Sequence, residues 1–289
     1  MTKIHTILTH PGSAHKDEFL ACCVLAHIHQ APIVRRDPTD EDLADAEMAV
    51  VDIGGSHSPE LSNFDHHQFP RDSTPLCALS LVLKHLGLYE DAKQFCDWLE
   101  PAEWFDCRGA VDTAKWLGVE RHVMNRLNSP IDVTLLRRFA CSKSLDSNSP
   151  LWQIMSFIGE DLIEYLTGLR KRLSFIKEHA EFWTVETPEG QFDALFMPRT
   201  DPLPEEPSVG LPRFIEDSQR ERPVIAMVYP DRRGDGYGLS RHKDNQRMEF
   251  TRVADCEDVH FAHARGFIAK TSATSPERLR ELLAQAYQG

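Results

Sequence analysis

The chain has 289 residues, 41% hydrophobic and 27% charged, an ordinary balance for a globular protein and enough length for about two domains. Its net charge of −13 argues against a broad basic surface for gripping long duplex nucleic acid, although a pair of divalent cations would reverse the field locally. No run approaches the ~18 apolar residues of a membrane span. The opening MTKIHTILTH lacks the charged start, apolar run and cleavage site of a secretion signal, so a cytoplasmic location is expected.

In chain order, Ile4 to Leu8 reads as a short buried strand, and the apolar density from Lys16 to Gln30 as a helix packed on a sheet. Ile33 to Arg36 and the stronger MAVVDI, Met48 to Ile53, are strands, the second stopped by Gly54 and Gly55. Leu76, Leu79, Leu83 and Leu86 keep helical spacing and predict a helix from Pro75 to Leu86. This alternation implies an α/β fold, a mostly parallel sheet with helices on both faces, whose sites lie at the carboxyl ends of the strands. Residues 90–183 look helical and end in a long amphipathic stretch from Leu151 to Phe182. That stretch reads as a linker; a homodimer through it stays open, with no motif behind it. Beyond it, Phe182 to Val185, Phe192 to Phe196, Val224 to Tyr229 and His260 to His263 read as strands, Pro198 to Pro212 as an exposed loop, and Ser275 to Tyr287 as a helix opened by Ser-Pro. The expected organisation is a metal-binding domain at 1–130, a helical linker region at 131–184 and a smaller α+β domain at 185–289.

The seven cysteines include no C-x-x-C pair, so neither a zinc ribbon nor a thioredoxin-like redox site is supported, and reduced, mostly buried thiols are expected. Walker loops, G-x-S-x-G elbows and G-x-G-x-x-G turns are absent too. The chemistry concentrates in three segments at predicted strand ends. THPGSAHKDE supplies His10, His15, Asp17 and Glu18; VVDIGG supplies Asp52; FDHHQ supplies Asp65, His66 and His67. Each alone is weak, since a strand-end Asp is more often a turn former than a ligand. Together they offer the hard carboxylates and imidazoles that hold two divalent ions, Mn²⁺ first and Mg²⁺ second, for phosphoester hydrolysis. Asp52, central among them, is the natural bridging carboxylate; Glu18 and Asp65 read as partners that orient neighbouring ligands.

The combination TH-x-G-x-x-H-x-DE, VVD-x-GG and FDHHQ resembles the DHH phosphoesterase superfamily, and within it the MYG-type branch of metal-dependent hydrolases with nuclease activity. VHFAHARGFIA, near the end of the chain, is similar to that branch's closing histidine-glycine segment; the middle matches no motif. The resemblance implies His10, His15 and Asp52 around one metal ion, and Asp17, Asp52, His66 and a fourth-motif aspartate around the other. It points His67 at the substrate phosphate or its leaving group. His15 stands where most of the superfamily has aspartate, which makes the site less anionic. In EWFDCRGAVDT, Asp106 fits the fourth motif best, Asp112 is the alternative and Asp97 a distant third. Substrate contacts are expected from His263, Arg265 and Gly266, and from Arg232 and Arg233 in RRGDGYGL, where an ordinary hairpin turn is the competing reading.

The expected function is a two-metal phosphodiesterase on RNA or DNA, an exonuclease taking short or single-stranded substrates. A small-molecule phosphohydrolase, on pyrophosphate or a nucleotide derivative, is the rival; it would draw on Arg232, Arg233, Arg241, Lys243, Arg265 and Lys270. A non-catalytic metal or ligand binder ranks third.

Overall fold

A computed structural model describes residues 2–126 and 129–289. The chain divides into two compact units, residues 1–168 and 169–289.

The first unit begins with β1 (Thr6–Thr9), α1 (Lys16–His29), β2 (Ile33–Arg35), α2 (Asp40–Ala44) and β3 (Met48–Val51). Two-residue strands β4 (His57–Ser58) and β5 (Asn63–Phe64) follow, joined by a tight 3-10 turn. Then come helices α3 (Ala78–His85), α4 (Tyr89–Phe95), α5 (Leu99–Trp116), α6 (Arg121–Asn125) and α7 (Pro130–Cys141), strand β6 (Ser144–Leu145) and the long α8 (Pro150–His179). The sheet has six strands in the order β4-β5-β3-β1-β2-β6; β5, β3, β1 and β2 are parallel, and the two edge strands run antiparallel. β1, β2 and β3 are apolar runs with Ile7, Leu8, Ile33, Ala49, Val50 and Val51 fully buried, the signature of strands covered on both faces.

This topology positions the site. From β1 the chain crosses to β2 on one side; from β2 it returns past β1 to β3, and then continues outward to β5. Because the two crossovers run in opposite directions, the right-handed rule puts α1 and α2 on opposite faces. The connections diverge at the carboxyl ends of β1 and β3, the crevice where such sheets bind ligands. His10 follows β1 directly and Asp52 follows β3 directly.

Around α1 the packing is tight. Phe19 meets Phe139 of α7 edge-on at 5.3 Å. The stretch expected as a helical connection, 131–184, contributes much of this unit's packing: β6 pairs with β2, Trp152 Nε1 donates to Ala31 O, and Gly159 of α8 lies directly on the α1 backbone. A Cβ on Gly159 would stand 2.2 Å from Cys23 O, so no other residue fits there unchanged. The boundary between the units falls inside α8.

The second unit holds β7 (Glu181–Thr187), β8 (Gly190–Phe196), α9 (Leu211–Asp217), β9 (Val224–Pro230), β10 (Tyr237–Arg241), β11 (Val259–Ala262), β12 (Ile268–Thr271) and α10 (Pro276–Ala286). Its six-stranded sheet runs β11-β12-β10-β9-β8-β7, antiparallel except for β8 and β9. α10 opens where the sequence places it, with Ser275 accepting from the Arg278 N–H, and buries Leu279, Leu282 and Leu283. Three features were not read from the sequence: α9 within the Pro-rich surroundings, and strands β10 and β12, which pair with each other and stand between β9 and the edge strand β11.

None of the seven cysteines is in a disulfide; Cys22, Cys23, Cys77 and Cys96 are buried, Cys107 and Cys256 half-buried, and Cys141 exposed. No helix among the described residues is long and apolar enough to cross a membrane.

Candidate metal centre

At the carboxyl ends of β1 and β3 the chain gathers His10, His15, Asp17, Glu18, Asp52, His66, His67, Asp106 and Cys107 into overlapping groups whose ligand atoms lie within 4.8 Å of one another. One group is Asp17, Asp52, His66 and Asp106; another is His10, His15, Glu18 and Asp52; a third is Asp52, His66 and His67. Asp52 is common to all three.

Each residue is delivered by a local feature. Asp52 leaves β3 with φ 61, a left-handed conformation that Asp tolerates better than most residues, and its N–H still donates to Phe64 O. Strain of this kind persists where surrounding structure holds it, and here it turns the carboxylate out of the sheet. Gly54 follows at φ 100, where a Cβ would also overlap Leu43 at 2.7 Å, so the VDIGG turn needs glycine. Asp17 and Glu18 occupy the first turn of α1 and are buried. Asp17 Oδ2 accepts from the Ala78 N–H at the start of α3, which leaves Oδ1 free. Asp106 comes from α5, three residues before Gly109 breaks the helical path at φ 78, ψ 169. Three residues N-terminal to Asp106, buried Glu103 ties this helix to Ser80 and Tyr89, accepting from both hydroxyls.

The electrostatics call for a cation. Asp17 Oδ1, Asp52 Oδ1, His66 Nε2 and Asp106 Oδ2 are all buried, and none has a hydrogen-bond partner. His66 Nε2 sits 3.0 Å from Asp52 Oδ1 and 2.9 Å from Asp106 Oδ2 without the alignment of a hydrogen bond to either. Burial, then the Asp52 and Asp106 charges, push Asp17 well above the usual carboxylate range. Burial opposes a charge on His66, but Asp106, Asp52 and Cys107 outweigh it and raise its pKa to about 12. Without a metal, the imidazolium is therefore the cation that the carboxylates surround. Orphaned polar atoms at such depth are costly, and a divalent ion bound by these oxygens and nitrogens satisfies all of them at once. The donor set fits one hard or borderline ion in each of the first two groups.

Asp65 differs from its neighbours, because both its oxygens are occupied: Oδ1 accepts from the His67 N–H and lies 2.7 Å from His67 Nδ1, and Oδ2 accepts from the Gly55 N–H. Burial acts to raise its pKa, yet those bonds prevail and lower it. The pair leaves the His67 ring 62% exposed, with Nε2 facing outward from the Asp65 contact. The structure brings Asp106 to His66 and to His15, at 3.7 Å; Asp112, beyond the Gly109 break, is exposed.

Residues 6–91 match the MYG1 exonuclease-type family model, described as an uncharacterised protein family (UPF0160). The resemblance is to the MYG1 type. The chain is 44% identical to the MYG1 exonuclease of Mus musculus over 75 residues, 24% of this chain and 19% of that protein. To the MYG1 protein of Schizosaccharomyces pombe it is 38% identical over 98 residues, 30% of this chain and 29% of that one. To the MYG1 protein of Chlamydia trachomatis it is 47% identical over 64 residues, 21% of each. These matches cover less than a third of the MYG1 proteins' own length. A solved DHH domain, from a member of a family of ribosomal proteins, is similar at TM-score 0.33 and 13% identity, over 98% of this chain and 86% of that one. The MYG1-type segment contains His10, His15, Asp17, Asp52, His66 and His67; Asp106 lies outside it and stands beside His66, Asp52 and Asp17 in the structure.

In the second unit, Arg265 is exposed and lines a cavity of ≈ 450 Å³ with Ser240, Arg241, Asp244, Gln246 and Phe267. His263 accepts from the Arg265 N–H, and its ring meets Phe267 at 4.3 Å, tilted by 42°. Gly266 turns at φ 67 in space that a Cβ could enter only by displacing Glu249. Arg232 and Arg233 lie at the turn after β9, away from that lining; Arg232 pairs with Glu206 at 2.6 Å, and the Arg233 N–H donates to Asp231. Of the other cations weighed for a small anionic substrate, Lys270 pairs with Asp231, Lys243 with Glu216, and Arg241 with Asp244 and Glu249. Two residues that bear on the centre were not singled out from the sequence. Cys107 Sγ lies 3.7 Å from His66 Nδ1, and Arg35 bonds Glu18. Arg35 was legible only as the end of a short strand, and Cys107 only as one scattered thiol.

Proposed function

We propose that this chain is a metal-dependent phosphodiesterase that cleaves short or single-stranded RNA or DNA from an end, using two divalent ions held by its first unit. The observation that carries this reading is the set of four buried, unpartnered ligand atoms on Asp17, Asp52, His66 and Asp106. The exonuclease name of the MYG1 relative supports the substrate class. In this reading His10, His15 and Asp52 would hold one ion and Asp17, Asp52, His66 and Asp106 the other, with Asp52 the carboxylate common to both sets. Manganese suits a site with this many imidazoles, and magnesium is second.

Two such ions, when bound, neutralise the phosphoryl oxygens and supply hydroxide at neutral pH. The protein's own contribution is placement. Asp65 fixes the His67 ring, whose protonated form can donate from the outward nitrogen to a phosphate or leaving-group oxygen. Capping by the Ala78 N–H and the Glu103 network hold Asp17 and Asp106 in position. Arg265, which forms no ion pair among the described residues and is supported by His263 and Gly266, is assigned to a substrate phosphate. Arg232 and Arg233 remain assigned there only through their charge. The acidic surface, at net −13, suits a substrate end rather than a long tract.

The test is hydrolysis of end-labelled RNA and DNA oligomers by metal-stripped protein resupplied with Mn²⁺ or Mg²⁺, beside Asp52→Ala. Mononucleotides that appear only with metal, and only in the native chain, sustain the reading. Intact oligomers together with hydrolysed pyrophosphate would replace it with the small-molecule reading.

A further inference from the structure

Resting on the two-ion reading, we infer that Glu18 is a direct ligand of the ion at the histidine-rich half of the centre, and that Arg35 is the positioning residue that presents it. Glu18 is fully buried, and its two oxygens are used differently. Oε1 accepts from Arg35 Nη1 at 2.9 Å, while Oε2 has no hydrogen-bond partner and meets His10 Nε2. The other His10 nitrogen, Nδ1, lies 2.9 Å from Pro11 O. A carbonyl only accepts, so this contact places the proton on Nδ1 and leaves Nε2 as a bare lone pair in the neutral ring. With Glu18 ionised, as a metal ligand must be, a lone pair on nitrogen then faces a lone pair on a carboxylate, with Asp52 Oδ2 3.6 Å from the same nitrogen. Acceptors meeting head-on repel; a cation among them turns the same arrangement into coordination.

The assignment also answers the charge question raised by His15. With imidazoles at both His10 and His15, Asp52 would be the half-site's sole anionic ligand, and it is shared with the other ion. Glu18 belongs to the same group as these three, with its ligand atom within 4.8 Å of theirs, and supplies the missing negative charge.

Arg35 makes this geometry stiff. Its Nη2 donates to Ser13 O at 3.0 Å and to Gly12 O at 3.4 Å, within the loop between His10 and His15. Its guanidinium lies 4.2 Å over the Phe139 ring, and its side chain is 2% exposed. One buried fork thus ties the ligand-bearing loop to the first turn of α1 and takes up one oxygen of Glu18, so that the other points at His10. Lysine offers a point charge and no fork, and would not reproduce these contacts.

The test uses the full chain. Apo protein is titrated with Co²⁺, with stoichiometry read by elemental analysis and donor set by the visible d–d bands, for native, Glu18→Gln and Arg35→Gln chains. Native protein should take two equivalents. Glu18→Gln should lose about a hundredfold or more in affinity for one of them, with altered bands, and fill the other normally; Arg35→Gln should weaken the same equivalent about tenfold with its bands unchanged in shape. Should Glu18→Gln fail to fold, anomalous scattering from native crystals grown with Mn²⁺ decides: an ion beside His10 and His15 should lie about 2.0–2.2 Å from Glu18 Oε2. An ion held there with Glu18 out of bonding reach, or no ion there at saturation, overturns the assignment, as does a Glu18→Gln chain with native affinities and bands. A single ion seated on His10, His15 and Glu18 with the other group empty would instead uphold Glu18 and overturn the two-ion reading. Equal weakening of both equivalents in Arg35→Gln would reduce Arg35 to general support.

Discussion

Asp52 Oδ1 lies 3.0 Å from His66 Nε2, and the opposite oxygen of the same carboxylate lies 3.6 Å from His10 Nε2. One residue at the end of β3 thus faces both halves of the centre. Replacing it with Asn should abolish metal-dependent hydrolysis, by about three orders of magnitude or more. The variant should keep its fold, because Asn tolerates the left-handed backbone of Asp52 equally well, and should lose the stabilisation that bound metal gives the native chain. Calorimetry with and without Mn²⁺ checks both: the native chain should gain melting temperature on adding metal, and Asp52→Asn should gain little.

The same carboxylates predict how stability varies with pH. Glu18 is raised from 4.5 to about 8 by burial, with Arg35 opposing, and Asp17 is raised in the same direction. Between about pH 4.5 and 8 the folded chain therefore binds protons that the unfolded chain does not, so stability falls as pH rises. Metal-free protein should lose several degrees of melting temperature across that window, and saturating Mn²⁺ should flatten the decline, with protons released on binding. A metal-free melting temperature that rises from pH 5 to 8 would contradict this assignment of charge.

Much of this was legible in the sequence, for reasons that can be stated residue by residue. The apolar runs of β1 and β3, the helical spacing of α8 and the Ser-Pro start of α10 are strong local signals that packing only reinforces. The His and Asp residues at the strand ends were visible because a doubly wound sheet collects its strand ends in one place. What stayed hidden depends on partners distant in sequence. α3 starts at Ala78 rather than Pro75, because Cys77 is still extended and the first helical N–H is given to Asp17, 61 residues away. The two-residue strands β4 and β5 are too short to show any period, and β10 is masked by Gly238. Arg35 looked like the polar end of a strand; only the fold shows that its fork is buried against Glu18, Gly12 and Ser13.

His67 and Asp65 should separate chemistry from metal binding. The His67 ring is exposed and held by Asp65 at 2.7 Å. His67→Gln should lower kcat about a hundredfold with Co²⁺ stoichiometry unchanged, the behaviour of an acid that acts in the transition state. Asp65→Asn should cost less, about tenfold, because the ring stays but loses its orienting carboxylate. Single-turnover rates beside metal titrations check the pair; loss of a bound ion in His67→Gln would make His67 a ligand instead.

Gly159 tests the packing beneath the site. A methyl group there would stand 2.2 Å from Cys23 O, forcing α8 away from α1, the helix that carries Asp17 and Glu18. Gly159→Ala should cost about 1–3 kcal/mol of stability despite its better helix propensity. Gly168→Ala, in the same helix with open space around its would-be Cβ, is the control and should be neutral or stabilising. Chemical denaturation should place Gly159→Ala below the native chain and Gly168→Ala level with it or above.

Arg265 and Arg232 make the last comparison, because sequence alone gave them similar roles and the fold gives them different surroundings. Arg232 is engaged by Glu206 at 2.6 Å on an exposed surface, and removing it should change substrate binding less than twofold. Arg265 lines the ≈ 450 Å³ cavity and forms no ion pair among the described residues. Arg265→Ala should raise KM for an RNA oligomer about tenfold or more with kcat and metal content held, and should flatten the salt dependence of binding by about one phosphate contact. If Arg232→Ala instead carries the larger loss, the turn after β9 is the anion contact, and the Glu206 pair must open to release it.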